Sequence, residues 1–344
     1  MNFLSNDRIV NQKSKDLGIE ALRGLAIIFV VAFHVIGNTE TSGIRTADGS
    51  IWRHFTYTLE FIRLPLFVTI SGFVYALKPV QLKYTKRFLG GKARRLILPF
   101  LTVSTLQYIA NSIAPNTNNH YELQNIWEIY IFPWAQFWYL EAMCIIFLAI
   151  WAIESYTDLL KNFKKWIVLV VCSAAILVIL NKDHHSGFLC FWGAVYIMPF
   201  FLFGIGINRF HEKLFNSWTI IISFIILVIG LVIQQLGWFE LINYKMGRRS
   251  ILTILMGFTL LVLLFRYRYF IPRFLFRIGY YAYAIYLFHV FATSGLRIFL
   301  VSLGVENKLL LFISVLLCGL IIPIFFEKII LKYKWLRFSL LGLR

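Results

Sequence analysis

The sequence predicts an all-α, polytopic membrane helix bundle with about ten transmembrane helices, and two observations support this. First, 59% of the 344 residues are hydrophobic and 15% are charged, whereas soluble domains are about 45–50% apolar and about 25% charged. Second, the hydrophobic residues form nearly uncharged runs long enough to cross a bilayer. The clearest runs are 165–180, 190–207, 217–233, 250–265 and 309–326.

These runs and the apolar blocks between them predict ten helices. The predicted ranges are 17–37, 56–77, 94–113, 131–153, 165–181, 190–208, 216–236, 249–266, 277–300 and 308–331. The first is too long for a signal-peptide core and contains Glu20 and Arg23, so we expect a retained span. An even number of spans puts both termini on one side of the membrane. The sequence shows no linker and no convincing internal repeat, so residues 1–344 are expected to form one domain.

The net charge of +18 also has to be explained. The basic residues cluster between apolar runs and do not share one amphipathic face, so we expect a lipid-bilayer protein with no nucleic-acid partner. The basic segments predicted to lie on the side of the termini are Arg8 to Lys15, Lys78 to Arg95, Lys161 to Lys165, Arg209 to Lys213, Arg266 to Arg277 and Lys332 to Arg337. The positive-inside rule then places both termini in the cytoplasm. The 237–249 loop, with Lys245, Arg248 and Arg249, is an exception.

The four cysteines lie in or beside apolar runs and lack the spacing of a metal site. They are Cys144, Cys172, Cys190 and Cys318. We therefore expect small buried hydrophobic residues and no bound metal.

The first predicted span carries ionisable side chains on one face. Arg23 and His34 are eleven residues apart, so they differ by about 20° around the helix and by about 16 Å along it. This predicts a cation near the cytoplasmic end and an imidazole deep in the bilayer, where an ionisable residue indicates function. The alternative for His34 is a structural histidine bonded to a neighbouring carbonyl. The alternative for Arg23 is a side chain that snorkels to the membrane interface.

The second and third spans add further candidates. Pro65 and the Ser71-Gly72 pair are expected to break the second helix, either beside a cavity or as a packing kink. Arg63, just inside the opposite membrane face, either has a functional partner or snorkels outward. Gly90-Gly91 is expected to lead into a basic helix start that favours anions, although positive-inside anchoring also explains its cations. Those cations are Lys92, Arg94 and Arg95.

Two later spans contain weaker candidates. Glu141 is an acid inside the fourth span and needs a partner. Tyr286 and His289 lie one turn apart in the ninth span, in an aromatic stripe that packing or an interfacial belt also explains.

Taken in order, these residues resemble the membrane-bound acyltransferase-3 family over essentially the whole chain. The matching segments are Arg23-Gly-Leu-Ala with His34, Pro65-Leu-Phe with Ser71-Gly72-Phe73, the basic run before Pro99, Trp138-Tyr-Leu, and Ile278-Gly with Ile285-Tyr-Leu-Phe-His289. The sequence departs from the family where Lys92 begins the basic motif, where Arg63 replaces a frequent His, and where Glu141 lies two positions early.

The resemblance implies a bacterial inner-membrane enzyme with no bound cofactor. Such an enzyme moves an acyl group, most often acetyl, from a cytoplasmic acyl-CoA such as acetyl-CoA to a cell-surface carbohydrate. It implies that His34 and Arg23 are essential and that Arg94 and Arg95, with Lys92, lie in the donor-side motif. His34 is then expected to act as a general base or to carry the acyl group, with Ser71 near the oxyanion. Other envelope polysaccharide enzymes are expected partners.

Two other function classes remain open at this point. A permease or exporter of a polysaccharide or its precursor would use His34 to relay protons and the arginines to attract an anionic cargo. A scaffold within an envelope-assembly complex would tolerate substitution of Arg23 and His34. The sequence does not identify the acceptor or the acyl chain.

Overall fold

The structure, a computed structural model, describes residues 16–115, 117–118, 121–183 and 185–344. Within these ranges the regular secondary structure is helical, and no strand occurs. This confirms the predicted all-α class. The predicted basic residues Arg8, Lys13 and Lys15 lie outside the described residues.

The described chain forms fourteen α-helices. They are α1 Leu17–Ile36, α2 Ile51–Thr58, α3 Glu60–Leu77, α4 Thr85–Ile113, α5 Trp138–Tyr156, α6 Phe163–Leu180, α7 Phe191–Arg209, α8 His211–Leu214, α9 Ser217–Trp238, α10 Ile251–Arg266, α11 Phe274–Tyr280, α12 Ala282–Ser302, α13 Lys308–Ile330 and α14 Lys334–Leu341. Three 3₁₀ segments, Leu82–Tyr84, Leu123–Tyr130 and Arg268–Phe270, lie between them.

Ten of these helices coincide with the predicted spans. Nine helical segments in the described chain are long and apolar enough to cross a membrane, and α10, with 16 residues, is a shorter apolar helix. In α7, 72% of the most apolar window is buried, compared with 17% in α6. The bundle is therefore built around α7, while α6 leaves most of its apolar surface for lipid.

Several helices begin at a polar side chain that caps them. The Asp16 carboxylate accepts hydrogen bonds from the backbone N–H groups of Gly18 and Ile19 at the start of α1. Asn162 and Ser250 cap α6 and α10 in the same way. Each cap satisfies N–H groups that a helix start leaves without partners.

The predicted break in the second span is wrong, because α3 is continuous from Glu60 to Leu77 with Pro65 inside it. Pro65 is only the sixth residue of the helix, so its missing N–H removes a single hydrogen bond in the second turn. Gly72 instead serves close packing: a Cβ there would overlap the carbonyl oxygen of Phe201 in α7, and one at Gly204 would overlap that of Thr69. Small residues at such crossings let two helix backbones approach closely.

The predicted helix start after Gly90-Gly91 is also wrong. Helix α4 begins at Thr85 and includes both glycines and the cations that follow. Two glycines lower helix stability by about 1 kcal/mol each, but Phe88 and Leu96 on either side pack against the core and hold the helix together. Lys92, Arg94 and Arg95 therefore lie well inside a helix and not at its N-terminus.

The connecting segments form two ends of the bundle. We call one end the cavity face; it comprises segments 37–50, 114–137, 181–190, 239–250 and 303–307 as far as they are described. The other end, the basic face, comprises 78–84, 157–162, 210–216, 267–273 and 331–344. Contacts tie each face together: Lys308 donates to the Ile44 carbonyl on the cavity face, and Arg268 pairs with Asp16 on the basic face. The predicted basic segments that are described lie in the basic face or in the helix ends that adjoin it.

Candidate active site

A cavity of about 420 Å³ lies at the cavity-face end of the bundle. Its walls come from α1, α3, α4, α5, α7 and α12 and from the segments of the cavity face. Of the α1 side chains, Val30, Phe33 and His34 line it. The cavity thus meets the first helix at the end opposite Arg23.

His34 lies in the last turn of α1 and lines the cavity. It is therefore closer to the cavity face than the predicted position deep in the bilayer. No described residue forms a hydrogen bond with either of its ring nitrogens, so the imidazole is open to whatever occupies the cavity. Its ring centroid is 5.0 Å from that of His289.

His289 is fully buried and is bonded to backbone carbonyls. It therefore has the structural role that was considered as the alternative for His34. Its Nδ1 lies 2.9 Å from the carbonyl oxygens of Ile285 and Tyr286 in its own helix, α12. Nδ1 therefore carries the proton, which leaves a lone pair on Nε2. That Nε2 is buried and has no hydrogen-bond partner among the described residues. The site thus combines an open imidazole with a second one whose tautomer is fixed.

Three aromatic rings form the bottom of the cavity, which we call the aromatic floor. Phe67, Tyr139 and Tyr286 line the cavity, with ring centroids 5.6 to 6.1 Å apart. Tyr286 donates a hydrogen bond to the Gln136 carbonyl. Ser71 does not line the cavity; its hydroxyl lies 3.1 Å from the Phe67 carbonyl oxygen and 3.5 Å from the Tyr139 hydroxyl. The floor therefore lies on the side of the cavity that is nearer to the basic face.

Amide and aromatic side chains supply the cavity with hydrogen-bonding groups and flat apolar surfaces. Gln107 and Gln136 face each other, with Gln136 Nε2 donating to Gln107 Oε1 at 2.7 Å. Asn38, Asn111 and Trp138 also line the cavity. Amides both donate and accept, so this wall suits a ligand that carries several hydroxyl groups.

Arginines also line the cavity. Arg63 lies over the Phe33 ring, with its Cζ 3.3 Å from the ring centroid, and Arg248 forms an ion pair with Glu60. Arg297 lines the cavity from α12. Desolvation lowers the pKa of His185, which also lines the cavity.

Glu141, which was predicted to need a partner inside its span, has a hydrogen-bond partner. It lies in the first turn of α5, and the Cys190 thiol donates a hydrogen bond to its Oε2 at 2.5 Å. Glu141 does not line the cavity. Cys190 is buried, as predicted for the cysteines, whereas Cys172 is exposed on α6, which contradicts the prediction for that residue. Exposure of Cys172 follows from the largely lipid-facing position of its helix. No metal-binding cluster occurs in the part of the chain that the structure describes.

The three donor-side candidates of α4 point to different surroundings. Lys92 places its Nζ 3.5 Å from the Phe147 ring centroid, and Arg94 donates to the Gly342 carbonyl at 2.8 Å. The side chain of Arg95 is exposed. Lys92 and Arg95 are three residues apart and so lie on neighbouring parts of one helix face, whereas Arg94 is rotated by about 100° from Arg95 and bonds to the C-terminal segment.

Arg23 is held by its own helix. Its Nη1 lies 2.8 Å from an oxygen of the Glu20 carboxylate, which is buried. Gly24 and Gly279 pack this part of α1 tightly on α11, since a Cβ at either position would overlap a backbone carbonyl of the other helix. The pair therefore has a rigid support near the basic face.

A family model described as an acyltransferase domain of the acyltransferase-3 type matches residues 16–328. The chain belongs to the acyltransferase-3 family. No curated protein and no solved structure matches the chain significantly. Membership makes this protein an acyltransferase, and the family typically O-acetylates carbohydrates. The cavity with His34 is the candidate active site of this acyltransferase.

Several residues of the acyltransferase cavity were not predicted from the sequence. Gln107, Gln136 and Tyr139 lie in predicted spans where neither spacing nor charge separates them from packing residues. Arg297 did give a signal that was not used, because it is a charged residue inside the predicted ninth span. Arg248 did give a signal, because it belongs to the basic loop that departs from the positive-inside pattern. Its ion pair with Glu60 and its place in the cavity wall explain that departure.

Proposed function

We propose that this acyltransferase moves an acyl group, most often acetyl, from a cytoplasmic acyl-CoA across the membrane to a hydroxyl group of a cell-surface carbohydrate. The observation that carries the proposal is the cavity: it presents the open imidazole of His34 beside amide and aromatic walls suited to a sugar. Arg23 and the α4 cations lie toward the opposite end of the bundle, where a charged donor would arrive.

The acceptor is proposed to bind in the cavity. Gln107, Gln136 and Asn111 offer donors and acceptors for hydroxyl groups. Trp138 and Tyr139 offer large apolar surfaces that also carry a polar group. Together they hold one hydroxyl group next to His34, which places the nucleophile and its base in contact.

His34 is proposed to act as the general base. It takes the proton of the acceptor hydroxyl while the oxygen attacks the thioester carbonyl of the donor, so that a C–O bond forms and the C–S bond breaks. The proton then passes from the His34 imidazolium to the departing CoA thiolate. His289, 5.0 Å away between ring centroids, is proposed to position the His34 ring, with its own tautomer set by α12.

The donor is proposed to enter from the basic face. Arg95 is an exposed cation for the phosphates of the donor, with Arg23 and Lys92 closer to the path of its pantetheine arm. Arg94 contributes less, because its Nε already donates to Gly342. The arm extends past the aromatic floor to bring the thioester to His34, and Ser71 beside Tyr139 is a candidate hydrogen-bond donor along that path.

The proposed location is a bacterial inner membrane with the basic face and both termini in the cytoplasm, because cations favour that side. The proposed partners are the acyl-CoA, the carbohydrate acceptor and other envelope polysaccharide enzymes. No cofactor is required, since the thioester supplies the activated acyl group.

Purified protein tests the proposal directly. Detergent-solubilised enzyme is mixed with radiolabelled acetyl-CoA and a panel of surface glycans, and CoA release and glycan labelling are measured. We expect labelled glycan without any ion gradient, and loss of an acyl increment from surface glycans in a deletion strain. If labelled acetyl and succinyl donors both stay intact while vesicles transport glycan under a proton gradient, the protein is a permease and the proposal is wrong.

A further inference from the structure

The cavity carries an excess of positive charge that acyl transfer to a neutral sugar does not use. Among the described residues that line it, Arg63, Arg248 and Arg297 are arginines, and no aspartate or glutamate occurs. Glu60, just outside, pairs with Arg248. The negative charge near the three guanidinium groups comes from Glu60 and from Asp183, which also acts on Arg248 from outside the cavity.

Of the three arginines, Arg63 has the positive charge that the described residues neutralise least. Its Nη1 is buried and has no hydrogen-bond partner among the described residues, and no described carboxylate forms an ion pair with it. Its guanidinium contacts the face of the Phe33 ring. A cation–π contact offsets only part of the cost of burying a charge. An anion in the cavity would supply both the missing charge and the missing acceptors.

The positions of the arginines favour the acceptor over the acyl group as the source of that anion. Arg297 lies eight residues beyond His289 along α12, about 12 Å closer to the cavity face. Arg248 lies in the 239–250 segment of the same face. The acyl group of the donor arrives from the opposite side, past the aromatic floor.

We propose that the acceptor is an anionic carbohydrate, and that Arg63 binds the carboxylate or phosphate of the sugar whose hydroxyl group is presented to His34. This proposal rests on the proposed acyl transfer and adds the substrate class. Guanidinium groups bind carboxylate and phosphate through paired hydrogen bonds. Arg248 and Arg297 add further positive charge around the same ligand and exclude cationic sugars.

Binding of paired probes tests the proposal without depending on turnover. The full chain in detergent is titrated with D-galacturonate and D-galactose, and with glucose 6-phosphate and glucose, and binding is followed by ligand-observed NMR. We expect the acidic member of at least one pair to bind about 10- to 100-fold more tightly, as a charge-assisted hydrogen bond allows. The pair that shows the preference tells whether the ligand is a carboxylate or a phosphate.

Variants connect the preference to the arginine. R63Q is expected to remove it and R63K to keep part of it, since lysine retains the charge without the paired donors. K245Q is the control, because Lys245 is an exposed cation of the same face that pairs with Glu240 outside the cavity. Thermal unfolding confirms that each variant is folded. If R63Q is unfolded, the test compares R63K with the wild-type protein, using the same pairs of acidic and neutral probes.

Several results would overturn the proposal. One is that no acidic probe binds more tightly than its neutral partner. Another is that R63Q keeps the preference. A third is that R63Q slows transfer from succinyl-CoA but not from acetyl-CoA and leaves sugar binding unchanged, because the arginine would then recognise the acyl group. CoA release, measured in parallel, tests the proposed transfer separately: turnover without a preference rejects only the anionic acceptor.

Discussion

Toward the basic face, Arg94, Arg209 and Arg268 each bond to an oxygen of the protein, whereas in the cavity the buried Nη1 of Arg63 has no such partner among the described residues. The first group ties helices and segments together. The second faces a cavity that already contains an imidazole, amides and aromatic rings. This difference supports the proposed acceptor site at the cavity and the proposed donor region at the basic face, where the cations also stabilise the structure.

Substitution of His34 is expected to have the largest effect. His34→Gln keeps a polar side chain of similar size but removes the base, so transfer should fall by about 10²- to 10⁴-fold with the protein still folded. His54→Gln is the matched control: His54 is also on the cavity face, but it bonds to Gln235 and does not line the cavity. Steady-state CoA release measures both. Equal losses in the two variants would mean that the cavity is not the active site.

The second-largest effect is expected when the close packing of α1 against α11 is disturbed. Gly279→Ala places a Cβ against the Glu20 carbonyl, and overpacking of this kind costs about 1–3 kcal/mol. Gly295→Ala, in α12 with no atom within 4 Å of the new Cβ, should be neutral or slightly stabilising. Thermal unfolding in detergent measures the difference. A Gly279→Ala protein as stable as wild type would show that this crossing can open.

The donor side is expected to respond in KM and not in kcat. Arg95→Gln should raise the KM for acetyl-CoA about 10-fold, roughly the effect of one lost charge-assisted hydrogen bond. Arg94→Gln should change KM less, because its Nε serves Gly342. If Arg94→Gln has the larger effect on KM, the assignment of these two arginines is reversed.

The smallest effect is expected at the Glu20–Arg23 pair. Glu20 is buried and does not line the cavity, and it affects transfer only by holding Arg23, so Glu20→Gln should keep kcat/KM within about threefold. Arg23→Gln should lose more, because it also removes the proposed donor contact. Equal losses in the two variants would indicate that Arg23 acts only through its partner.

The fold was predictable from the sequence because long apolar runs have few alternatives in a bilayer, and ten helices lie where the runs predict them. The helix interruptions were not, because Pro65 and the Gly90-Gly91 pair are local signals that tertiary packing overrides. The first-span stripe pointed to His34, yet the rest of its site comes from helices far apart in sequence. Gln136 looks like an ordinary residue until the fold brings it to the cavity, whereas the charge of Arg297 inside the ninth span was a signal that the sequence did contain.

Sidedness of the reaction tests the central claim most directly. Proteoliposomes carry a glycan acceptor only inside, and labelled acetyl-CoA is added only outside. Transfer between opposite faces predicts labelled glycan in the lumen, in proportion to the molecules whose basic face is outside, and none with His34→Gln. Labelling only when donor and acceptor share one compartment would contradict the account.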